Sequence, residues 1–225
     1  MRYYPVFLDL NHKRALVVGG GLVAQRKVET LVNYGASISV ISRELTGRLE
    51  EMAAEGILQY LGPEFRDEYL EGVFLVIAAT DDPMLNHQVS QRAQDRGLLI
   101  NAVDQPEDCN FIVPAIMSRG DLQIAISTSG KSPALAGKIR QQMEVQFGEE
   151  YERLLFLMGR IRKEVLSRGL PQKENKSIFK KIIDSGILEA LAEKDRERVE
   201  MILKSALGNQ VDQEILDLTL GSEAC

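Results

Sequence analysis

The sequence predicts an α/β protein in which a Rossmann-like, doubly wound parallel sheet is followed by a small α+β dimerisation segment and a helical C-terminal region. Three observations predict this architecture. Short apolar runs alternate with longer segments of helical periodicity up to residue 103, a glycine-rich turn follows the first run, and the rhythm changes after residue 104. A strand and helix repeat of this kind implies parallel strands with helices on both faces of the sheet.

Five short apolar runs predict the strands of this sheet, at residues 15–18, 37–41, 57–61, 74–78 and 98–103. The segments between them predict helices at residues 23–34, 45–55 and 83–96. Each predicted helix ends beside a glycine, namely Gly35, Gly56 and Gly97. Glycine commonly takes the left-handed conformation that ends a helix, so these three positions support the predicted boundaries.

The second part of the chain begins with a predicted hairpin. Residues 111–117 and 122–127 are strand-like runs joined by a turn at 118–121, and Pro114 predicts an edge or interface strand. Ser132 is a suitable N-cap for a helix with Pro133 at its first position. From there the chain is predicted to be helical almost to its end, with breaks near Gly148, Gly169, Gly186 and Gly208.

Composition excludes several classes of protein. The 225 residues are 44% hydrophobic and 27% charged, which is typical of a folded globular chain rather than a disordered one. The net charge of −6 and the lack of a basic tail argue against binding to nucleic acid. No apolar run approaches the length of a membrane span, and the N-terminus does not resemble a signal peptide. We therefore expect a cytoplasmic protein.

The glycine-rich turn is the most informative local motif. Gly19, Gly21 and Ala24 fit the pattern G-x-G-x-x-A, directly after a predicted strand and at the start of a predicted helix. Gly19 allows the tight turn, Gly21 lets the backbone approach a pyrophosphate, and Ala24 allows close packing of helix and strand. The motif predicts dinucleotide binding, and a tight turn of purely structural use is the alternative.

The residues alone leave the choice between NAD and NADP open. Ser42 and Arg43 occupy the end of the second strand, where an acid often holds the ribose of NAD. An arginine there is equally suited to the extra phosphate of NADP. Thr80 follows the fourth strand at the ligand-binding edge of the sheet and is expected near the cofactor. For Asp81 and Asp82 the favoured interpretation is capping of the helix that begins at Pro83.

Five motifs that occur together and in order extend this interpretation. They are V-G-G-G-x-V-A-x-R-K at 18–27, A-A-T-D-D at 78–82, N-x-V-D at 101–104, F-I-x-P at 111–114 and S-G-K-S-P-x-L-A at 129–136. With them the chain resembles the precorrin-2 dehydrogenase family, which forms the N-terminal half of siroheme synthase. The resemblance covers about residues 1–165, and residues 170–225 carry no recognised motif. The methyltransferase domain of fused siroheme synthases is not expected here.

The resemblance implies NAD-dependent oxidation of precorrin-2 to sirohydrochlorin, with insertion of ferrous iron in some members. It implies a catalytic aspartate in the N-x-V-D motif, which is Asp104 here. It also implies cofactor contacts at Leu22 and Val23 and at Arg43 and Glu44. Because the family uses NAD without an acid at the strand end, the resemblance favours NAD.

The position of Asp104 supports the same role independently. It follows the fifth predicted strand, at the edge of the sheet that also carries the glycine turn and Thr80. Removal of hydrogen from a tetrapyrrole requires a proton acceptor, and a positioned carboxylate is a suitable general base. The alternative is that Asp104 only caps a loop.

Substrate-binding residues are expected where backbone amides and positive charge meet, because precorrin-2 carries many carboxylates. The loop that precedes the predicted helix at Pro133 has both, and Arg119 lies in the nearby hairpin. The candidates are Asn101, Arg119, Thr128, Ser129, Gly130, Lys131 and Ser132. An ordinary capped turn is the alternative for the loop, and Phe111 is suited equally to the pocket and to the core. Related chains have a serine, in some a phosphorylation site, at the position of Thr128, so that regulation is not assigned here.

No stable metal site is expected. His12 and His87 are the only histidines and lack a second ligand at metal-binding spacing. Cys109 and Cys225 form no Cys-x-x-Cys pair, and Cys109 is expected to be a packed thiol. Any chelation would rely on Asp104 and the nitrogens of the macrocycle.

The predicted division of the chain is an NAD-binding domain at 1–113, a dimerisation and substrate-binding segment at 114–165 and a helical region at 166–225. Apolar residues at helical spacing between 151 and 165 need a partner surface, which favours a homodimer over packing within one chain. Two other functions remain open. One is a dinucleotide-sensing module without catalysis, and the other is a chelatase with a vestigial cofactor site.

Overall fold

The structure is a computed structural model that describes residues 3–208, 216–217 and 219. The chain divides into two compact units, residues 1–113 and 114–225.

The first unit is built on five parallel strands in the order β3-β2-β1-β4-β5. They are β1 (Arg14–Val18), β2 (Ser37–Ile41), β3 (Leu58–Tyr60), β4 (Leu75–Ala78) and β5 (Leu99–Ala102). Neighbouring strands pair in parallel throughout, with Val18 opposite both Ile41 and Ala78. The chain order reverses at β1, so the switch point of the sheet lies between β1 and β4. The predicted doubly wound sheet is confirmed.

Three helices connect these strands: α1 (Leu22–Asn33), α2 (Gly47–Ala54) and α3 (Pro83–Asp95). The predicted boundaries differ from the observed ones by at most two residues. Gly35, Gly56 and Gly97 follow the helices with φ between 68° and 74°, as their sequence positions predicted. The side chains of Thr46 and Asp82 accept hydrogen bonds from the first turns of α2 and α3, which fixes where these helices begin.

The sheet separates two apolar cores because successive strand residues point to opposite faces. On β1, Ala15 and Val17 join one core, and Leu16 and Val18 join the other. All four are almost completely buried. This near-continuous apolar pattern is typical of strands that are covered on both faces.

The second unit contains a hairpin and five helices among its described residues. The antiparallel strands are β6 (Ala115–Arg119) and β7 (Leu122–Ile126). The helices are α4 (Pro133–Gln146), α5 (Glu149–Ser167), α6 (Gln172–Ile183), α7 (Ile187–Ala192) and α8 (Arg196–Leu207). The breaks before α5, α6 and α7 and the end of α8 fall at or beside the predicted glycines, whereas the break at residues 193–195 between α7 and α8 contains no glycine and was not predicted. A third core forms where α5 packs with α6, α7 and α8.

Two sequence predictions differ from this architecture in detail. The strand expected from residue 111 begins only at Ala115, because Asn101 and the main chain of residues 98–101 hold the preceding segment in a loop. The expected boundary between residues 165 and 166 falls inside α5, whose buried residues include Leu157, Ile161 and Val165. No helix among the described residues is long and apolar enough to cross a membrane.

Candidate active site

The glycine turn lies at the switch point of the sheet, between the ends of β1 and β4. The Gly19 amide donates a hydrogen bond to the Ile41 carbonyl at 2.8 Å, and the Ala79 amide donates to the Val18 carbonyl at 2.7 Å. These bonds join the turn to the strands on both sides. The carboxyl ends of the strands at such a switch point are where α/β sheets of this type bind ligands.

Two of the three glycines leave no room for a side chain. Gly19 has φ +129°, and a Cβ atom there would lie 2.2 Å from the Ala79 carbonyl oxygen. A Cβ atom on Gly20 would lie 2.1 Å from the Glu44 carbonyl oxygen. Gly21 differs, because a Cβ atom there would meet nothing within 4 Å. The turn therefore needs glycine at 19 and 20 for its own packing, whereas the bare backbone at Gly21 faces space that a ligand can enter.

The start of α1 is open on the same side. Gly21 is the N-cap and offers no side chain to the first amides of the helix, which have no partner within it. Leu22 is 70% exposed and Val23 is 38% exposed, although both are apolar. Free amides at a helix start attract phosphate, and flanking apolar side chains suit the rest of a dinucleotide.

The segment after β2 is held by its own hydrogen bonds. The Ser42 hydroxyl donates to the Glu44 carbonyl at 2.6 Å, and the Tyr60 hydroxyl donates to the Ser42 carbonyl at 2.8 Å. Arg43 and Glu44 are exposed. Among the described residues, no hydrogen-bond or ion-pair partner is recorded for the Arg43 guanidinium. Ser42 thus shapes the segment, while Arg43 and Glu44 present free side chains at the ligand edge.

Thr80 is held in place by a buried amide on α3. Its hydroxyl donates to Asn86 Oδ1 at 2.7 Å, and Asn86 Nδ2 donates to the Thr80 carbonyl at 3.0 Å. Asn86 is only 3% exposed.

Asp82 accepts hydrogen bonds from the amides of Met84 and Leu85, so the predicted capping role of Asp82 is confirmed.

Asp104 lies in a turn directly after β5. The Val103 amide donates to the Ala78 carbonyl at 2.9 Å, which brings this turn beside the end of β4. Asp104 has φ +60°, a left-handed conformation that non-glycine residues adopt infrequently and that concentrates at functional sites. Its side chain is exposed. The glycine turn, Thr80 and Asp104 therefore share one edge of the sheet, as the sequence predicted.

The Cys109 thiol closes the loop that carries Asp104. The Ala102 amide donates to Sγ at 3.2 Å, and the thiol lies 3.2 Å from the Ala102 carbonyl and 3.3 Å from the Gln105 carbonyl. Burial raises the pKa of this thiol, the nearby carboxylates of Asp108 and Glu107 raise it further, and the hydrogen bond to Ala102 partly offsets them. The thiol is packed and neutral, as expected from the sequence, and it stabilises the loop.

Two candidate substrate-binding residues, Asn101 and Arg119, donate hydrogen bonds to main-chain carbonyls of the protein itself. Asn101 donates its amide to the Phe111 carbonyl at 3.2 Å, and Phe111 packs against one core of the first unit. Arg119 donates to the Ser118 carbonyl and, at 3.0 Å, to the Glu144 carbonyl near the end of α4. Core packing is therefore the better interpretation of Phe111, and substrate contact by Asn101 or Arg119 stays a prediction.

The loop before α4, in the second unit, is organised by hydroxyl groups. Thr128 Oγ1 accepts from the Ser132 amide at 3.1 Å, and the Ser132 hydroxyl caps α4 by accepting from the Leu135 amide. Ser129 and Gly130 both have positive φ, at 53° and 79°. Lys131 is exposed, and no ion-pair partner is recorded for it within the described residues. The loop therefore presents a free cation at the start of a fourteen-residue helix.

Sequence reasoning missed the side chains that support these candidates. Asn86 orients Thr80, Tyr60 holds the segment after β2, and Gln105, Asp108 and His87 surround the base of the Asp104 turn. A threonine six residues before an asparagine, across a helix start, was a usable signal for the first pair. The other contacts join residues up to 21 positions apart, and no local pattern marks them.

No group of three or more His, Cys, Asp or Glu residues within the described part of the chain is placed to hold a metal ion. Cys225 lies outside the described residues. Burial lowers the pKa of Lys27, on α1, and the neighbouring Arg26 charge lowers it further.

Two family models match the chain. One, described as putative NAD(P)-binding, matches residues 6–115, and the other, described as sirohaem biosynthesis protein central, matches residues 119–146. The first unit is therefore an NAD(P)-binding domain by sequence as well as by geometry.

Full-length relatives and a solved structure agree with these matches. The siroheme synthase of Photorhabdus laumondii is 36% identical over 207 residues, and that of Sodalis glossinidius is 39% identical over 207 residues. Each match covers 92% of this chain and 44% of the relative, so the chain spans less than half of these curated relatives. The structure of SirC, precorrin-2 dehydrogenase, is 30% identical with a TM-score of 0.75, over 90% of this chain and 100% of that one.

Proposed function

Since the chain belongs to the precorrin-2 dehydrogenase and siroheme synthase family, we propose that it oxidises precorrin-2 to sirohydrochlorin with NAD in siroheme biosynthesis. The observation that carries this proposal is the shared edge of the sheet, where the open glycine turn follows β1 and the left-handed Asp104 follows β5, with the end of β4 between them.

The residues at this edge fit a dinucleotide. The backbone at Gly21 faces open space, and the free amides of α1 are suited to the pyrophosphate. Leu22 and Val23 would flank it, Arg43 and Glu44 would contact the adenosine end, and Thr80 would lie near the nicotinamide. NAD, when bound, supplies the two-electron acceptor that the oxidation needs. We assign NAD rather than NADP on the family resemblance, because the free Arg43 side chain suits either cofactor.

Asp104 is the proposed general base. Loss of two hydrogens from the macrocycle releases one proton from carbon or pyrrole nitrogen, and an exposed carboxylate at the ligand edge is placed to accept it. Asp104 has a left-handed backbone conformation, and the contact of the Cys109 thiol with the Gln105 carbonyl closes the loop in which it lies. Asp104 would therefore hold the proton until it passes to solvent.

The loop at 127–132 is the proposed anchor for substrate carboxylates. Lys131 supplies the charge, and the start of α4 supplies amides and a favourable dipole. Thr128 and Ser132 hold the loop through their hydrogen bond, and Ser129 and Gly130 adopt its left-handed turn. A net negative protein needs such a local site to bind an anionic tetrapyrrole.

The experiment that tests the proposal is anaerobic turnover of precorrin-2 with NAD, recording the tetrapyrrole spectrum and NADH together. Wild type is compared with Asp104→Ala. We expect sirohydrochlorin and NADH to rise in step in the wild type and both to be lost in the variant.

Two other outcomes would replace the proposal. Binding of NAD without turnover, unaffected by Asp104→Asn, would indicate a dinucleotide-sensing module. Metal insertion at the same rate with and without NAD would indicate a chelatase with a vestigial cofactor site. Ferrous iron as a second substrate rests only on the family resemblance, and adding it to sirohydrochlorin with the same protein tests it.

We also propose a homodimer formed largely by residues 114–165. The apolar residues of α5 on which the sequence argument depended, among them Leu154, Ile161 and Val165, pack within the chain against α6, α7 and α8, so the support comes from α4 and the hairpin.

In α4 only Ala136 is buried, and Leu135 and Val145 are 49% and 88% exposed. In the hairpin only Met117 is buried, and most of the other residues are half-buried. Exposed apolar residues on a folded helix favour a protein partner. Light scattering coupled to size exclusion gives the oligomeric state, and a monomer at micromolar concentration would contradict the proposal. A location in the cytoplasm stays a prediction.

A further inference from the structure

Helix α3 contacts Thr80 and the loop that follows Asp104, at the ligand edge of the first unit. Near its start, Asn86 orients the Thr80 hydroxyl. One residue later, His87 lies on the side that meets the loop after Asp104. The two contacts come from consecutive residues, so one helix supports both the cofactor side and the proton-accepting side.

The Asp104 turn is tied to α3 through its neighbour Gln105. Gln105 Nε2 donates to the Pro83 carbonyl, at the first residue of α3, at 3.1 Å. The same nitrogen lies 3.2 Å from Asp108 Oδ2. A left-handed aspartate costs free energy and persists only when its surroundings hold it, so these bonds adjacent to Asp104 help to maintain its conformation.

Asp108 is the centre of this arrangement. It is only 5% exposed, and a buried carboxylate is costly unless donors surround it. His87 Nδ1 lies 2.6 Å from Asp108 Oδ1, while Gln105 donates to the other oxygen. The Ser90 hydroxyl donates to the Asp108 main-chain carbonyl at 2.6 Å, which fixes the residue at both ends.

The imidazole can serve as this donor in its neutral form. Gln91 Nε2 lies 2.9 Å from His87 Nε2, and an amide nitrogen is only a donor. His87 Nε2 is then the acceptor, which assigns the ring proton to Nδ1, facing Asp108.

We propose that His87 and Asp108 are positioning residues for Asp104, acting through Gln105. This inference rests on the proposed function, because it assigns the pair a role in that reaction. His87 satisfies the buried Asp108 carboxylate, Asp108 holds the Gln105 amide, and Gln105 holds the turn in which Asp104 faces the ligand edge. None of these three side chains is proposed to touch substrate.

The test compares His87→Ala, His87→Asn and Gln88→Ala in the full chain. Asparagine keeps a donor near the position of Nδ1, and Gln88 is an exposed neighbour on the same helix that serves as the matched control. The readouts are kcat and KM for precorrin-2, NAD binding by calorimetry, and amide hydrogen exchange of residues 103–110.

We expect His87→Ala to lower kcat by about 10-fold to 100-fold, because small displacements of a catalytic group have effects of that size. NAD affinity should change by less than about twofold, because the glycine turn is untouched. Exchange of residues 103–110 should become faster. His87→Asn should recover most of both losses, and Gln88→Ala should match the wild type.

Wild-type kcat and exchange in His87→Ala would overturn the inference, and so would equal losses in the alanine and asparagine variants. Loss of NAD binding together with kcat would also overturn it, because the helix would then serve the cofactor alone. If the wild type has no turnover but His87→Ala speeds exchange and His87→Asn restores it, the proposed function fails while the support of the turn stands.

Discussion

The turn after β1 and the turn after β5 lie at the same edge of the sheet, but they are held in opposite ways. The glycine turn is fixed by main-chain contacts and has no space for side chains at Gly19 and Gly20. The Asp104 turn is fixed by side chains, namely the Cys109 thiol and the Gln105 amide with their partners. A surface for pyrophosphate needs bare backbone, whereas a single reactive carboxylate needs a supporting set of side chains.

The largest expected effect comes from placing a side chain in the glycine turn. Gly19→Ala should lower the free energy of unfolding by about 4 kcal/mol, because its Cβ atom would collide with a main-chain carbonyl at a positive φ. Urea unfolding followed by circular dichroism measures this.

Gly21→Ala is the matched control for that change. Its φ of −80° suits alanine, and its Cβ atom would meet open space, so stability should change by less than about 1 kcal/mol. NAD affinity should nevertheless fall by about tenfold or more in a calorimetric titration, because the new methyl occupies the approach of the pyrophosphate. Equal losses of stability in both variants would contradict the distinction between a packed and an open glycine.

The second prediction separates the proposed catalytic role of Asp104 from its contribution to the stability of the turn after β5. Asp104→Asn should lower kcat by about 100-fold or more, because the amide cannot accept the proton. Asparagine tolerates the left-handed conformation, so the unfolding midpoint and NAD affinity should stay near wild type. Stopped-flow absorbance of NADH formation measures kcat, and an unchanged kcat would return Asp104 to the role of a loop-capping acid.

The third prediction concerns the reactivity of the Cys109 thiol, which closes the loop that carries Asp104. It is measured in a Cys225→Ser background, so that Cys109 is the single cysteine of the chain. Iodoacetamide should modify folded Cys109 more slowly than the unfolded chain at pH 8, because burial and a raised pKa leave little thiolate. The neutral thiol's contribution to stability is complete below the unfolded pKa of about 8.5 and is lost as the pH rises above it. Equal rates for folded and urea-unfolded protein, followed by mass spectrometry, would show an accessible thiol.

The smallest effect should come from the segment beside the glycine turn. Tyr60→Phe removes one hydroxyl hydrogen bond to the Ser42 carbonyl, and should weaken NAD binding by about threefold. Tyr69→Phe removes a hydroxyl bond to the Leu61 carbonyl but leaves the bond to the Ser42 carbonyl in place, and it should leave NAD binding unchanged. An effect of equal size in both variants would assign the loss to general stability.

Much of the molecule followed from sequence alone, because its signals are local. The strands and helices of the first unit are marked by apolar periodicity, and their ends by glycines whose left-handed conformation needs no distant partner. The same holds for the glycine turn, for Asp82 as a cap and for Asp104 at the end of β5. Each is marked by residues within a few positions along the chain, although the contacts that hold the glycine turn, to Ile41 and Ala79, are distant in sequence.

Tertiary structure decided most of the side-chain contacts that support the site. His87 meets Asp108 across 21 residues and Tyr60 meets Ser42 across 18, whereas only the Thr80 and Asn86 pair lies close enough in sequence to have a local signal. The side chains of Asn101 and Arg119 donate hydrogen bonds to main-chain carbonyls. The apolar periodicity of the sequence does not identify these acceptors. The physical reason is that a hydrogen bond depends on distance and direction, which become defined only when separate parts of the chain are packed together.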